Sequence, residues 1–179
     1  MSGPLITLTT DFGEGSPYVA AMKGVIASIN PEVRVVDLTH AVPPQDIRAA
    51  AVVLADTTPL FPAGTIHVAV VDPGVGTDRA IVYAEIAAQR YIGPDNGVFS
   101  RLASAGKPPK LLAITDPRWQ RHPVSRTFHG RDIMAPAAAH LSLGLDPTEF
   151  GPPHAELKML KWPGAVKVAN STGGSQRVD

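Results

Sequence analysis

Two kinds of hydrophobic pattern alternate along the chain. Short apolar or β-branched runs at 5–9 (LITLT), 33–38 (VRVVDL), 65–71 (TIHVAVV), 80–86 (AIVYAEI), 90–92 (RYI) and 110–114 (KLLAI) predict strands. Apolar positions spaced three and four apart predict helices over 18–29, 47–60 and 133–143, with a short one over 98–105. Asn30 and Pro31 close the first helix. The segments 80–86 and 90–92 leave no room for a helix between them and predict an antiparallel pair. Elsewhere strands and helices alternate, which implies a layered α/β domain on a mostly parallel sheet. The pattern fades after Leu145. Beyond it, 165–169 reads as one possible strand and 170–179 (NSTGGSQRVD) as a mobile tail. No repeat and no second folded unit is visible, so 1–162 reads as one α/β domain and 163–179 as linker and tail.

Composition narrows the picture. A length of 179 residues suits one ordinary α/β domain, and most of the 18 prolines fall between the apolar runs, where they mark turns. Sixteen Lys and Arg balance sixteen Asp and Glu, which removes the electrostatic argument for nucleic acid or an anionic membrane as a partner. With no cysteine, there is no disulfide, thiolate nucleophile or Cys-ligated zinc. The start, MSGPLITLTTDFG, lacks the basic region of a signal peptide, and no apolar run reaches membrane-spanning length. A cytoplasmic location is the expectation.

Ligands of open α/β sheets bind outside the carboxyl ends of the strands. Four polar clusters fall there: Thr9-Thr10-Asp11-Phe12-Gly13; Asp72-Pro73-Gly74-Val75-Gly76 with Arg79; Gly93-Pro94-Asp95-Asn96-Gly97; and Arg126-Thr127-Phe128-His129-Gly130-Arg131-Asp132. Each has a plain structural reading when taken alone. Asp11 and Pro94-Asp95-Asn96-Gly97 make good turns. Asp72 and Arg79 make an ion pair that pins a loop, His129 and His40 are ordinary structural histidines, and Asp132 caps or charges its helix. Convergence on one edge of one sheet is what favours a site. Gly74-Val75-Gly76 lacks the third glycine of a dinucleotide fingerprint and the Lys-Ser/Thr of a P-loop. A Gly-x-Ser-x-Gly elbow is missing, as is the paired-histidine spacing of a zinc hydrolase. A carboxylate, an arginine and a histidine without a nucleophilic side chain point to a positioned water.

The motifs TTDFG, VDPGVGTDR, GPDNGVF and RTFHGRDIMAPAAAHL occur here in the order seen in the S-adenosyl-L-methionine hydroxide adenosyltransferases. Over residues 4–160 the chain resembles that family, the hydrolytic relatives of the fluorinase and chlorinase. The resemblance implies a Rossmann-like α/β/α N-terminal domain, and a reaction in which water attacks the ribose C5′ of S-adenosyl-L-methionine to give adenosine and methionine. It implies that Asp72, Arg79 and His129 handle the water, with Arg79 beside Asp72 and His129 accepting or relaying the proton. Asp11 would bind the ribose diol, Asn96 the nucleoside or amino-acid part, Phe128 would pack beside the reacting carbon, and Phe12 and Gly130 would also bind substrate. Gly130 stands where the fluorinase has its halide-contacting serine, and His129 where that enzyme has a tyrosine, which favours water over halide. No cofactor and no metal are implied; a metal-dependent hydrolase built on Asp11, Asp72 and His129 would set Arg79 against the cation. Full-length relatives are homotrimers that bind substrate between this domain and a neighbour's C-terminal β-barrel. The expectation is that this chain lacks that barrel, as a fragment, a truncated product or a short form. A nucleoside-binding module without turnover therefore stands beside hydrolysis, with halide-using adenosyl transfer behind both.

Overall fold

The six apolar runs form a single sheet in the computed structural model, which describes residues 4–104 and 108–162. Its strands are β1 (Leu5–Thr10), β2 (Arg34–Thr39), β3 (Ile66–Val70), β4 (Ile81–Ile86), β5 (Gln89–Pro94) and β6 (Lys110–Ala113), in the spatial order β2-β1-β3-β5-β4-β6. β1 pairs in parallel with β2 and β3, and β3 in parallel with β5. β4 runs antiparallel to both β5 and β6, so it alone is reversed and the sheet is mostly parallel. The predicted antiparallel pair closes through Ala87 and Ala88, whose φ values of 49° and 64° lie in the left-handed region.

Strand periodicity sorts side chains onto two faces. Ile6, Leu8, Ile66, Val68 and Val70 pack against α1 (Pro17–Ile29) and α4 (Ala135–Ser142). Ala69, Val71, Val82 and Ala84 face the other way, against α2 (Ile47–Thr57) and α3 (Ser100–Ala103). The result is the expected α/β/α layering, with the carboxyl ends of β1 and β3 opening together at one edge.

The structure departs from the sequence-based expectation in four places. The helix predicted over 47–60 stops at Thr57, and Thr58–Leu60 tightens into a 3₁₀ turn because Pro59 has no N–H to continue the ladder. The helix predicted over 98–105 shortens to Ser100–Ala103, with Ala105 outside the described residues. The helix predicted over 133–143 starts earlier, as a π-helical turn over Gly130–Met134 in which Ala135 N–H reaches back to Gly130 O. Pro136 follows at once and cannot donate, which loosens the ladder where the wide turn forms. After Leu145 the chain does not leave the core. Pro147–Phe150 makes a 3₁₀ turn, Phe150 is fully buried, and its ring lies 6.0 Å from that of Tyr83. Ala113 N–H then donates to Pro152 O at 2.9 Å and His154 N–H to Leu111 O at 3.1 Å, so the segment lies along β6. The strand predicted over 165–169 and the tail over 170–179 lie outside the described residues. Among the described residues no helix is long and apolar enough to cross a membrane.

Candidate active site

β3 brings its buried apolar run to Val71, and Asp72 is the first polar side chain after it. A tight turn follows, with Val75 N–H donating to Asp72 O at 3.2 Å and Thr77 N–H to Gly74 O at 3.1 Å. Gly76 has φ of 79°, and a Cβ on it would stand 2.7 Å from the carbonyl oxygen of Arg126. Only glycine lets this loop lie directly on the 121–129 segment. The reversal brings Arg79 back onto Asp72. Arg79 Nε donates to Oδ1 at 2.9 Å and to Oδ2 at 2.8 Å, and Arg79 Nη2 also contacts Oδ2. Both side chains are nearly dry, at 6% and 5% exposure, so this is a desolvated pair and not a surface bridge.

Arg79 Nη2 also lies 2.8 Å from Nδ1 of His129. A guanidinium has only donors, so Nδ1 accepts and the neutral ring carries its proton on Nε2. Burial, and secondly the Arg79 charge, lower the pKa of His129; Asp72 and Asp132 pull in the opposite direction without reversing it. The cluster is a carboxylate–guanidinium–imidazole relay with Arg79 at its centre.

A cavity of about 210 Å³ opens beside it. Asp72, His129, Asp11, Phe12, Phe128 and Gly130, all predicted from the sequence, line it. Arg79 lies behind this wall and holds two of its members. Asn96 stands apart from the lining: its Nδ2 donates to Val71 O at 2.9 Å and its Oδ1 accepts from Val98 N–H at 3.2 Å, so the amide is consumed in joining β3 to the turn before α3. The neighbouring Asp95 is structural too, accepting from Lys158 N–H at 2.8 Å and lying 3.1 Å from His154 Nε2. His40 likewise bonds Thr10 Oγ1 at 3.0 Å through Nδ1 and lies 3.0 Å from Asp37 through Nε2.

The fourth cluster divides. His129 and Phe128 face the cavity, whereas Asp132 is fully buried and makes no cap bond to a helix end. Its carboxylate accepts from Arg131 Nε at 2.7 Å, Arg131 Nη2 at 2.9 Å and Ser125 N–H at 2.9 Å, with Arg121 at 3.4 Å. Burial alone would raise its pKa, but the Arg131 bonds, the Ser125 amide and the two guanidinium charges outweigh it and lower the value. Asp132 thus clamps the segment that presents His129; of the expected cap or charge at its helix start, it makes no cap bond but does place its carboxylate in the first turn. Gly130 follows where space is tight: a Cβ there would lie 3.1 Å from Val70 Cγ1 and 3.3 Å from Met22 Sδ.

Lining residues that the sequence did not disclose include Tyr18 and Gln45, while Arg131 comes from the fourth predicted cluster. The Tyr18 ring lies 4.7 Å from Phe128 and 5.8 Å from Phe12, and the Arg131 guanidinium carbon 4.9 Å over Phe128, making an aromatic wall. Tyr18 sits in the first turn of α1 behind Pro17, so in the sequence it reads as an ordinary helix start. Asp11 accepts from the backbone N–H of Gln45 at 2.7 Å through Oδ2. A larger cavity, about 600 Å³, opens at the other end of the sheet around Ala87, Gln89, Tyr91 and Arg101, but its described lining includes no histidine or aspartate. The chemistry therefore points to the smaller cavity. Among the described residues no three His, Asp or Glu side chains are grouped to hold a metal ion.

Residues 6–151 match the family described as the SAM hydroxide adenosyltransferase N-terminal domain. The chain is 47% identical over 152 residues to the (R)-S-adenosyl-L-methionine hydrolase of Salinispora arenicola, covering 84% of this chain and 58% of that protein. It is 48% identical over 151 residues to the protein of the same name from Thermus thermophilus, covering 80% and 58%. A fluorinase of Nocardia brasiliensis is more distant, at 26% identity over 171 residues, covering 83% of this chain and 57% of that protein. The crystal structure of an uncharacterized conserved protein from Thermotoga maritima superposes with a TM-score of 0.85 at 37% identity, covering 89% of this chain and 61% of that one. The chain thus spans a little under three-fifths of the length of the curated relatives it matches.

Proposed function

The chain belongs to the SAM hydroxide adenosyltransferase family, and from that premise we propose that it hydrolyses S-adenosyl-L-methionine to adenosine and L-methionine. Water attacks the ribose C5′, the C5′–S bond breaks, and its electron pair stays on sulfur as the neutral thioether of methionine. A sulfonium leaves readily without a general acid. The demand falls on orienting the water and removing its proton. Held alignment can contribute on the order of 7–11 kcal/mol, and a positioned base about 10²–10⁴-fold.

The observation that carries this reading is the Asp72–Arg79–His129 relay with two of its three members facing the cavity. In the proposed mechanism Asp72 accepts an O–H of the water and then its proton. His129, with its proton on Nε2, donates to a lone pair of the same water and fixes its direction. The resemblance-based expectation is that His129 accepts or relays the proton; of the two, acceptance at Nδ1 is set aside here because Arg79 occupies that atom. Arg79 holds both partners and balances the carboxylate charge. Asp11 takes the ribose diol through the oxygen that Gln45 leaves free, and Phe12, Phe128 and Tyr18 pack the organic part. The proposal requires no metal or cofactor, so a chelator should leave turnover unchanged.

A second reading is nucleoside binding without turnover, which Asp11 and the aromatic wall of Phe12, Phe128 and Tyr18 would serve by themselves. Relatives named fluorinase are the more distant ones, and any side chain at position 130 would require Val70 or Met22 to give way, so halide transfer ranks last. A homotrimeric assembly and a cytoplasmic location complete the proposal and are open to light scattering and cell fractionation. The deciding experiment incubates the chain with S-adenosyl-L-methionine in ¹⁸O-water and follows products by mass spectrometry. Adenosine labelled at the 5′ oxygen establishes hydrolysis at C5′. Adenosine binding without methionine release establishes the second reading, and absence of both overturns the assignment.

A further inference from the structure

The turn before α2 carries a side chain where the backbone disfavours one. Pro43, Pro44, Gln45 and Asp46 form a tight turn closed by Asp46 N–H donating to Pro43 O at 3.0 Å. Pro44 holds the second position, which suits its fixed φ, and Gln45 the third, with φ of 63°. A type II turn demands positive φ at its third residue, and glycine is the residue that meets the demand without steric conflict. The neighbouring features do not need a side chain at 45. Asp46 itself caps α2 by accepting from Ala49 N–H at 2.9 Å, and the bond to Asp11 comes from the Gln45 backbone. Glycine would serve the turn, the cap and Asp11 equally well.

What glycine would lose is the carboxamide. Gln45 lines the same cavity as Asp11 and Phe12, and its hydrogen bonds among the described residues are all made by its backbone. The chemistry next to it is one-sided. Asp11 can only accept, whereas each hydroxyl of a ribose diol both donates and accepts. A diol bound to Asp11 alone leaves its lone pairs without a donor, and leaving such groups unmatched in a cavity weakens binding. The amide Nε2–H of Gln45 is a donor carried by the residue already bonded to Asp11.

We propose that Gln45 is a substrate-binding residue whose carboxamide donates to the ribose diol beside Asp11, so that discrimination against deoxyribose rests on the two side chains together. The inference rests on the reading of Asp11 as the diol ligand. The test uses the full chain and three variants, Gln45→Gly, Gln45→Ala and Asp11→Ala, with calorimetric titration of adenosine and 2′-deoxyadenosine and a thermal melt of each protein. Gln45→Gly is expected to melt a few degrees higher, since the positive φ is relieved, while binding adenosine roughly 2- to 10-fold more weakly, the loss of one hydrogen bond at the cavity rim. Gln45→Ala should bind as weakly without the gain in melting temperature. In both, the ratio of adenosine to 2′-deoxyadenosine affinity should shrink towards one. Adenosine binding that is unchanged in Gln45→Gly but lost in Asp11→Ala would overturn this proposal alone. Failure of the unaltered chain to bind adenosine would overturn it together with the functional reading beneath it.

Discussion

Asp72 and Asp132 are both buried carboxylates held by arginine, and both lie within a few residues of a loop that borders the cavity. Their surroundings differ in one respect. Asp132 accepts from two arginines and a backbone amide and lines no part of the cavity. Among the described residues Asp72 takes all its side-chain hydrogen bonds from Arg79, and it borders the open space. The first is saturated by protein donors and can only hold the chain in place. The second is oriented yet keeps accepting capacity towards a small molecule. Residue type and burial do not separate a clamp from a reactive group; the direction of the remaining lone pairs does.

Substitution to asparagine should pull the two apart. Asp72→Asn removes the base while preserving shape, and adenosine release should fall by about 10²–10⁴-fold. That loss should exceed anything explained by the fraction of protein still folded. Asp132→Asn should act the other way round: urea denaturation should register a loss of roughly 1–3 kcal/mol, since a buried carboxamide offers one accepting oxygen where the carboxylate offered two to Arg131 and the Ser125 amide. Turnover per folded molecule should stay within about tenfold of the unaltered chain. An Asp132→Asn protein of normal stability with no turnover would erase the distinction drawn here.

Acid should strike both the core and the cavity. His67 is fully buried, its Nδ1 bonded to Thr7 Oγ1 at 2.7 Å, and burial lowers its pKa from 6.5 to about 4 despite an opposing Gln89 contact. Because the unfolded chain binds the proton more readily between those values, stability is whole above pH 6.5 and falls as pH drops towards about 4, by on the order of 3 kcal/mol. His129 is shifted in the same direction, and its protonation would place a hydrogen on Nδ1 against Arg79. Turnover should therefore decline below pH 6.5, before the protein unfolds. Measuring urea midpoints and initial rates across the same pH series tests this; a turnover that survives until the protein unfolds would place His129 outside the mechanism.

Much of this architecture is legible in the sequence because burial writes a periodic signal. The six apolar runs become the six strands, and the positions of Asp11, Asp72 and His129 after them foretell a shared edge. The rest carries no periodicity. Residues 147–154 are held through backbone bonds to β6 and a single aromatic, Phe150, which a pattern of spacing does not register. Asn96 illustrates the opposite limit: Pro94-Asp95-Asn96-Gly97 reads correctly as a turn, and the turn uses the amide that the resemblance assigns to substrate. Gln45 escapes notice because positive φ is a property of the folded backbone, and glutamine gives no local hint of it.

The hairpin joining β4 to β5 bears on how quickly the chain organises itself. Positive φ at both Ala87 and Ala88 suits the twist of paired strands, yet alanine resists that conformation when alone. The strands must therefore impose the turn, instead of the turn seeding the strands. Nucleation should fall elsewhere, and closing this bend should come late. Ala87→Asn combined with Ala88→Gly would then slow unfolding and leave the refolding rate nearly unchanged in a stopped-flow chevron. Faster refolding would instead mark residues 81–94 as the place where order begins.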